Sequence, residues 1–184
     1  MAGPADEHRW IAGGFTDRVR GVPSDAWDRP APVAGWAARD VVRHLVEWFP
    51  AFLESGAGVQ LAKGPSVDDD PVAAWRVHSD AVQALLDDPE TPSRMLSDRH
   101  VGELPLDQAV DMFYTADVFM HTWDLARATG QDERLDADKC AQLLEGMLPH
   151  EEAMRRSGQY GPRVDVPEDA DVQTRMLAFI GRQP

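Results

Sequence analysis

An all-α protein is the fold class that the sequence predicts, and three observations support this expectation. Apolar residues recur at spacings of three and four along several segments, as they do on one face of an amphipathic helix. Proline and glycine separate most of these segments, and no segment shows the convincing alternation of apolar and polar residues that is typical of strands. Since each apolar face must be buried, we expect helices packed on helices in a single domain of residues 1–184.

Three helices are predicted in the first half of the chain. The first spans about residues 5–19 and is followed by a proline-rich connection. The second spans about residues 37–54, and Pro50 inside it is expected to bend it or to end it early. The third spans about residues 71–87 and begins with a proline, which suits a first helical turn. The apolar stripes are Trp10, Ile11, Phe15 and Val19 in the first helix, Val41, Leu45, Trp48 and Phe52 in the second, and Trp75, Val82 and Leu85 in the third.

The second half of the chain is expected to begin with an irregular crossing and to continue as helices. Residues 89–105 show no clear periodicity and have room for one short extended piece. The longest helix is predicted over residues 106–129, with Gly130 as its terminator. Asp136 can cap a further helix, and residues 169–180 are compatible with a last one. The apolar stripes are Val110, Phe113, Val118, Met120 and Leu125 in the long helix, Leu143, Leu144 and Met147 in the next, and Val172, Met176, Leu177 and Ile180 in the last.

The chain is strongly acidic, with 32 Asp and Glu residues, 18 Lys and Arg residues and a formal net charge of −14. Such a charge repels phosphate backbones and anionic membrane surfaces, and no cluster of basic residues offsets it. The acidic runs at residues 68–70 and 87–88 flank prolines, which indicates solvated loop ends. We therefore expect neither nucleic acid nor a membrane as a partner.

Cysteine usage and the N-terminus indicate a soluble protein of the cytoplasm. Cys140 is the only cysteine, so an internal disulfide is excluded and a reducing compartment fits. It lies in an ordinary predicted helix without a context that would activate a nucleophile, which favours a structural role. Residues 1–8 lack the pattern of a secretory signal, and no apolar segment approaches membrane-spanning length.

His44, Asp117 and His121 are the residues whose placement suggests chemistry. His44 lies on or beside the apolar stripe of the second helix, where a polar ring needs a partner. Asp117 and His121 are four residues apart, so they share one face of the long helix within an apolar stretch. A bare carboxylate there is costly to desolvate, and a divalent cation held by two imidazoles and one carboxylate would compensate it. A hydrogen-bonded Asp–His pair and a satisfied core histidine are the alternatives.

Two stretches resemble a known family. Gly35-Trp-Ala-Ala-Arg-Asp-Val-Val-Arg-His44-Leu and Thr115-Ala-Asp-Val-Phe-Met-His121-Thr-Trp-Asp-Leu-Ala are similar to the metal-binding domain of mycothiol-dependent maleylpyruvate isomerase, in the DinB-like superfamily. The resemblance implies a DinB-like four-helix bundle, with additional helices at the C-terminus, and a metal held by His44, Asp117 and His121. The isomerase has glutamate at the position of Asp117, so the shorter side chain is expected to shift the metal or to lengthen one bond.

The resemblance also implies a function. It suggests a mycothiol-dependent thiol S-transferase or isomerase that acts on a small electrophile, with mycothiol as cosubstrate and zinc, nickel or another divalent ion as cofactor. The rival interpretation is a non-catalytic, metal-dependent ligand-binding or stress-response module. In a third interpretation the polar triad only satisfies itself. The apolar stripes fit an intrachain core and a homodimer equally well.

Several residues around the triad are weaker candidates. Asp124 is a second-sphere candidate for His121, although a surface pair with Arg127 is favoured, and Glu47 is a candidate second-sphere residue or general base beside His44. Tyr114 and Trp123 are read as core filling. The remaining histidines are expected at the surface, and they are His8, His78, His100 and His150.

Overall fold

The computed structural model describes residues 3–99 and 102–184, and it is mostly helical, with 61% helix and 6% strand. The first helices are α1 (Pro4–Arg20), α2 (Ala38–Ala57) and α3 (Pro71–Asp87), followed by strands β1 (Met95–Asp98) and β2 (Gly102–Pro105). Three consecutive segments then form one unbroken helix, α4, and they are α-helical Leu106–Ala109, π-helical Val110–Thr115 and α-helical Ala116–Thr129. The last helices are α5 (Ala137–Met147), α6 (Glu151–Ser157) and α7 (Val172–Phe179).

The first four helices form the predicted bundle. Helix α1 packs against α3 and α4, and α2 packs against the same two helices. Their facing side chains form one hydrophobic cluster, and the additional helices α5 and α7 pack on each other at the C-terminal side. The all-α, DinB-like prediction is therefore confirmed. Within the two described ranges, no helix combines the length and apolar content needed to cross a membrane.

Local capping explains where several helices begin and end. The Asp70 carboxylate accepts a hydrogen bond from the Ala73 N–H, and Asp136 and Asp171 cap α5 and α7 in the same way. Gly130 ends α4 with a φ of 73°, a left-handed conformation that glycine adopts without steric cost. The last helix therefore begins at Val172, three residues later than the earliest start that the sequence allowed.

Helix α2 is longer than predicted. It continues through Pro50 to Ala57, so the expected early end is wrong. A proline inside a helix costs about 3 kcal/mol because one backbone hydrogen bond is lost. Phe49 and Leu53 on either side of it are fully buried, and each contributes about 1.5–3 kcal/mol, which offsets that cost. Trp48, predicted on the buried stripe, is only partly buried.

The predicted crossing at residues 89–105 contains an antiparallel hairpin. Met95 pairs with Pro105 and Asp98 with Gly102. Leu96 is the fully buried residue of β1, and it packs against α2 beside Gly56, where an added Cβ would lie 3.0 Å from the leucine Cγ. Strand β1 buries one side chain and β2 buries none, which is too short a pattern to reveal a strand by alternation.

His8 and His78 are buried, so the prediction that places them at the surface is wrong. His8 Nδ1 forms a 3.0 Å hydrogen bond with the Thr115 hydroxyl, and both imidazole rings lie within 6 Å of the Tyr114 ring. His8 precedes Ile11 by three residues and therefore belongs to the buried stripe, from which Trp10 points outward. His150 is exposed as predicted, and His100 lies outside the described residues.

Burial of these histidines predicts an acid-sensitive fold. Burial lowers the pKa of His8 and of His78 to about 4. The positive charge of Arg9 lowers the pKa of His8 further, and Asp87 opposes this. The neighbouring His8 lowers the pKa of His78 further. The unfolded chain binds protons near pH 6.5 and the folded chain does not, so stability falls as the pH drops below that value. Each histidine should remove about 2 kcal/mol between pH 7.5 and pH 5.

Urea unfolding at these two pH values checks this expectation. The variant His78→Leu should lose about 2 kcal/mol of the pH dependence. The control His150→Ala should keep it, because His150 is exposed and meets water in both states. An undiminished pH dependence in His78→Leu would show that other groups cause the acid sensitivity.

Candidate metal centre

His44 from α2 meets Asp117 and His121 from α4. One ligand-capable atom from each of the three side chains lies within 4.8 Å of the other two. His44 Nε2 is 3.0 Å from Asp117 Oδ2, and His121 Nε2 is 3.4 Å from Asp117 Oδ1. The structure thus brings together the three residues that the sequence singled out.

Asp124 fixes the orientation of the His121 ring. Its Oδ2 lies 2.8 Å from His121 Nδ1, and because an ionised carboxylate only accepts hydrogen bonds, Nδ1 carries the proton. Burial alone would raise the pKa of Asp124, but hydrogen bonds from His121 and Arg182 outweigh burial and lower it. The Nε2 atom is therefore the one that faces Asp117, as in metal centres where a carboxylate supports a ligating histidine.

The favoured surface pair between Asp124 and Arg127 is wrong. Asp124 is fully buried, whereas Arg127 forms its ion pair with Glu133 at 2.8 Å. Asp124 is instead bound by Arg182, whose Nε and Nη2 atoms each lie 2.8 Å from a carboxylate oxygen. Sequence reasoning missed Arg182 because it is 58 residues away and no local spacing connects the two.

Two tryptophans surround the triad. Trp36, in the loop before α2, stacks on His121 with a centroid distance of 5.7 Å and lies 5.1 Å from the His44 ring. The Trp48 Nε1–H donates a 3.0 Å hydrogen bond to Asp117 Oδ2. Trp48 was predicted only as an apolar stripe residue, although its position one turn after His44 places both side chains on the same face.

An open cleft of about 350 Å³ adjoins His44. Gly35, Trp36, Asp40, Arg43 and Glu47 line it with that histidine. Hydrogen bonds of Arg43 to Asp40 and Asp68 engage its cationic group, whereas Glu47 is exposed at the rim. A role of Glu47 as second-sphere residue or base stays a prediction.

The chemistry of the donor atoms fits a divalent metal. Two ligand atoms about 2.1 Å from a tetrahedral zinc are about 3.4 Å apart. Each Asp117 oxygen has a histidine nitrogen at a comparable distance, His44 Nε2 at 3.0 Å from Oδ2 and His121 Nε2 at 3.4 Å from Oδ1. With its proton on Nδ1, a neutral His121 turns the Nε2 lone pair toward the Asp117 carboxylate. That juxtaposition requires a cation between them, either a second proton or a metal.

Tyr114, Trp123 and Cys140 belong to the hydrophobic core. Tyr114 and Trp123 are fully buried, which confirms their interpretation as core filling. Cys140 is also buried, and burial raises the pKa of its thiol to about 12, so the thiol stays protonated at neutral pH. This agrees with a structural role for the only cysteine of the chain.

Removal of the Asp124 charge should destabilise the protein strongly. Asp124→Asn leaves the partly buried Arg182 guanidinium without its carboxylate, and breaking such a buried pair costs about 3–5 kcal/mol. Chemical denaturation measures the loss. Asp132→Asn is the matched control, because the Asp132–Arg134 pair is exposed and should contribute little. Equal effects of the two substitutions would contradict this account.

Comparisons with known proteins agree with this arrangement. The family model of the mycothiol maleylpyruvate isomerase N-terminal domain matches residues 9–126, which include the whole triad and Asp124. Two proteins from Mycobacterium tuberculosis, Uncharacterized protein MT0763 of strain CDC 1551 and Uncharacterized protein Rv0738 of strain H37Rv, are each 24% identical over 97% of both chains. No solved structure matches the chain. With more than half of its residues covered by this family, the chain is a member of the mycothiol maleylpyruvate isomerase N-terminal domain family.

Proposed function

We propose that this protein binds one divalent metal, with zinc as the expected ion, and uses it to activate the thiol of mycothiol for transfer to, or isomerisation of, a small electrophile. The observation that carries the proposal is the convergence of His44, Asp117 and His121 on one point inside a domain of the mycothiol-related family. Two nitrogens and one carboxylate leave a tetrahedral ion with an open position, as in catalytic rather than structural zinc sites.

Each residue of the centre has a distinct task in this proposal. His44 and His121 would supply nitrogen ligands and Asp117 an oxygen ligand. Asp124 keeps the His121 proton on Nδ1, and Trp48 holds Asp117 Oδ2 through its indole N–H. A bound divalent ion lowers the pKa of a coordinated thiol, so that the nucleophilic thiolate forms near neutral pH.

The surroundings of the triad support a thiol that comes from outside the chain. The protein's own cysteine is buried in α5 and stays protonated. Trp36 covers the face of His121 and keeps water from it, whereas the cleft beside His44 leaves the triad approachable from the solvent. A cosubstrate thiol and a small electrophile can therefore meet beside the triad, where fixed geometry lowers the cost of bringing them together.

A metal-dependent binding module without catalysis is the second candidate. Hydrogen bonds from Arg43 to Asp40 and to Asp68 favour this candidate. They engage Arg43 and Asp40, two of the charged residues that line the cleft, and leave Glu47 as the residue available for proton transfer. A triad that only satisfies itself is the third, and the hydrogen bonds from Trp48 and between His44 and Asp117 favour it. Two experiments separate the three.

Metal analysis of the purified protein tests the site. We expect about one equivalent of divalent metal, lost in both His44→Ala and His121→Ala and retained in His150→Ala. Zinc at about 100 times its dissociation constant should add about 2.7 kcal/mol to the unfolding free energy and raise the melting temperature by about 5–10 °C. Substoichiometric metal, together with a melting temperature that does not change with zinc, would show that the three side chains only satisfy one another's hydrogen bonds.

Turnover with mycothiol tests the chemistry. We expect metal-dependent consumption of a small electrophile such as monochlorobimane in the presence of mycothiol, reduced at least tenfold, or about 1.4 kcal/mol in barrier, by Asp117→Ala. His150→Ala should turn over at the unaltered rate. Saturable binding of mycothiol without product would identify the non-catalytic module instead.

A further inference from the structure

We propose that Arg182 is a positioning residue of the metal centre and that the C-terminal segment, which lies beyond the matched residues 9–126, completes that centre. This inference rests on the proposed function. The side-chain hydrogen bonds of Arg182 go to Asp124 and not to the three ligand residues. It acts through Asp124, and Asp124 acts through His121.

The contacts form one uninterrupted chain from the C-terminus to the metal ligands. Arg182 binds Asp124 with two hydrogen bonds of 2.8 Å, one from Nε to Oδ1 and one from Nη2 to Oδ2. Asp124 Oδ2 accepts the third, also of 2.8 Å, from His121 Nδ1. His121 Nε2 then faces Asp117 at 3.4 Å.

Arg182 can orient Asp124 because it binds both carboxylate oxygens. A guanidinium that binds both oxygens of a carboxylate fixes the plane of that carboxylate, which a single hydrogen bond does not. The orientation of the imidazole follows that plane, because its Nδ1–H donates to one of the same oxygens. Without Arg182, the fully buried Asp124 would keep the His121 contact but lose the group that sets its orientation and balances its charge.

The backbone of the segment is built to deliver Arg182 to this place. Gly181, with a φ of 87°, lies against Gly161 so closely that an added Cβ would be 2.8 Å from the Gly161 Cα. The Arg155 guanidinium donates hydrogen bonds to the carbonyl oxygens of Gly161 and Phe179, which joins the two segments that meet at this contact. The Arg182 N–H also donates to the Leu177 carbonyl oxygen at 2.9 Å, which fixes the residue to the end of α7.

Zinc affinity, measured by competition with a chromophoric chelator, tests the inference in the full chain. Removal of a group that orients a ligating histidine weakens metal binding about 10- to 100-fold, and we expect this for Arg182→Met. The zinc affinity of Arg182→Lys should lie between those of wild type and Arg182→Met, because lysine supplies the positive charge but cannot bind both carboxylate oxygens as a guanidinium does. Gly181→Ala should also weaken binding although it alters no polar group, since its Cβ would push the segment away from Gly161. Arg134→Met is the control, because Arg134 forms an exposed pair.

The melting temperature of each metal-free variant separates a positioning role from a merely structural one. If Arg182→Met melts earlier but binds zinc as tightly as wild type, Arg182 is structural, and the inference fails while the proposed function stands. If wild type itself binds no zinc, both fail together. Should Arg182→Met not fold, Arg182→Lys and Gly181→Ala decide: unchanged zinc affinity in both overturns the inference, and weakened affinity in either, with Arg134→Met unaffected, supports it.

Discussion

The compensation of the Asp124 charge is the interaction that ties the segment after α7 to the bundle. A fully buried carboxylate is costly unless donors surround it, and here the donors come from the preceding turn of α4 and from the end of the chain. The segment that follows α7 must therefore return to α4. The close contact between Gly161 and Gly181 makes that return sterically possible. The buried charge of Asp124 in the bundle thus determines the path of the segment after α7.

The candidate metal centre differs from the fully buried part of the bundle in its access to solvent. Deeper in the core, His8, His78 and Tyr114 occupy the space between α1, α3 and the π-helical segment, and their environment suppresses charge, as the lowered pKa values of both histidines show. His44 and Asp117 are partly accessible instead. Within residues 3–99 and 102–184, this triad combines three ligand atoms with partial access to the solvent.

Sequence patterns predicted the parts of the fold and site that short-range spacing controls. The bounds of α3, the end of α4 and the shared face of Asp117 and His121 follow from local capping and helical periodicity. His44 was recruited by the family resemblance, because no spacing relates α2 to α4. Arg182 and the burial of His78 depend on contacts between distant elements, and the continuation of α2 past Pro50 depends on packing that outweighs a local cost.

The two carboxylates that flank His121 differ in how their charge is balanced, and this difference indicates where a cation belongs. Asp124 is paired permanently with the Arg182 guanidinium. Asp117 receives the neutral indole N–H of Trp48 and faces the two imidazoles, none of which is a fixed cation like arginine. Arginine thus forms its ion pair with Asp124, whereas the direct partners of Asp117 are an indole N–H and two imidazoles. A divalent ion between Asp117 and the histidines would give this carboxylate a permanent cationic partner, which makes Asp117 the residue on which metal binding at this site should depend most.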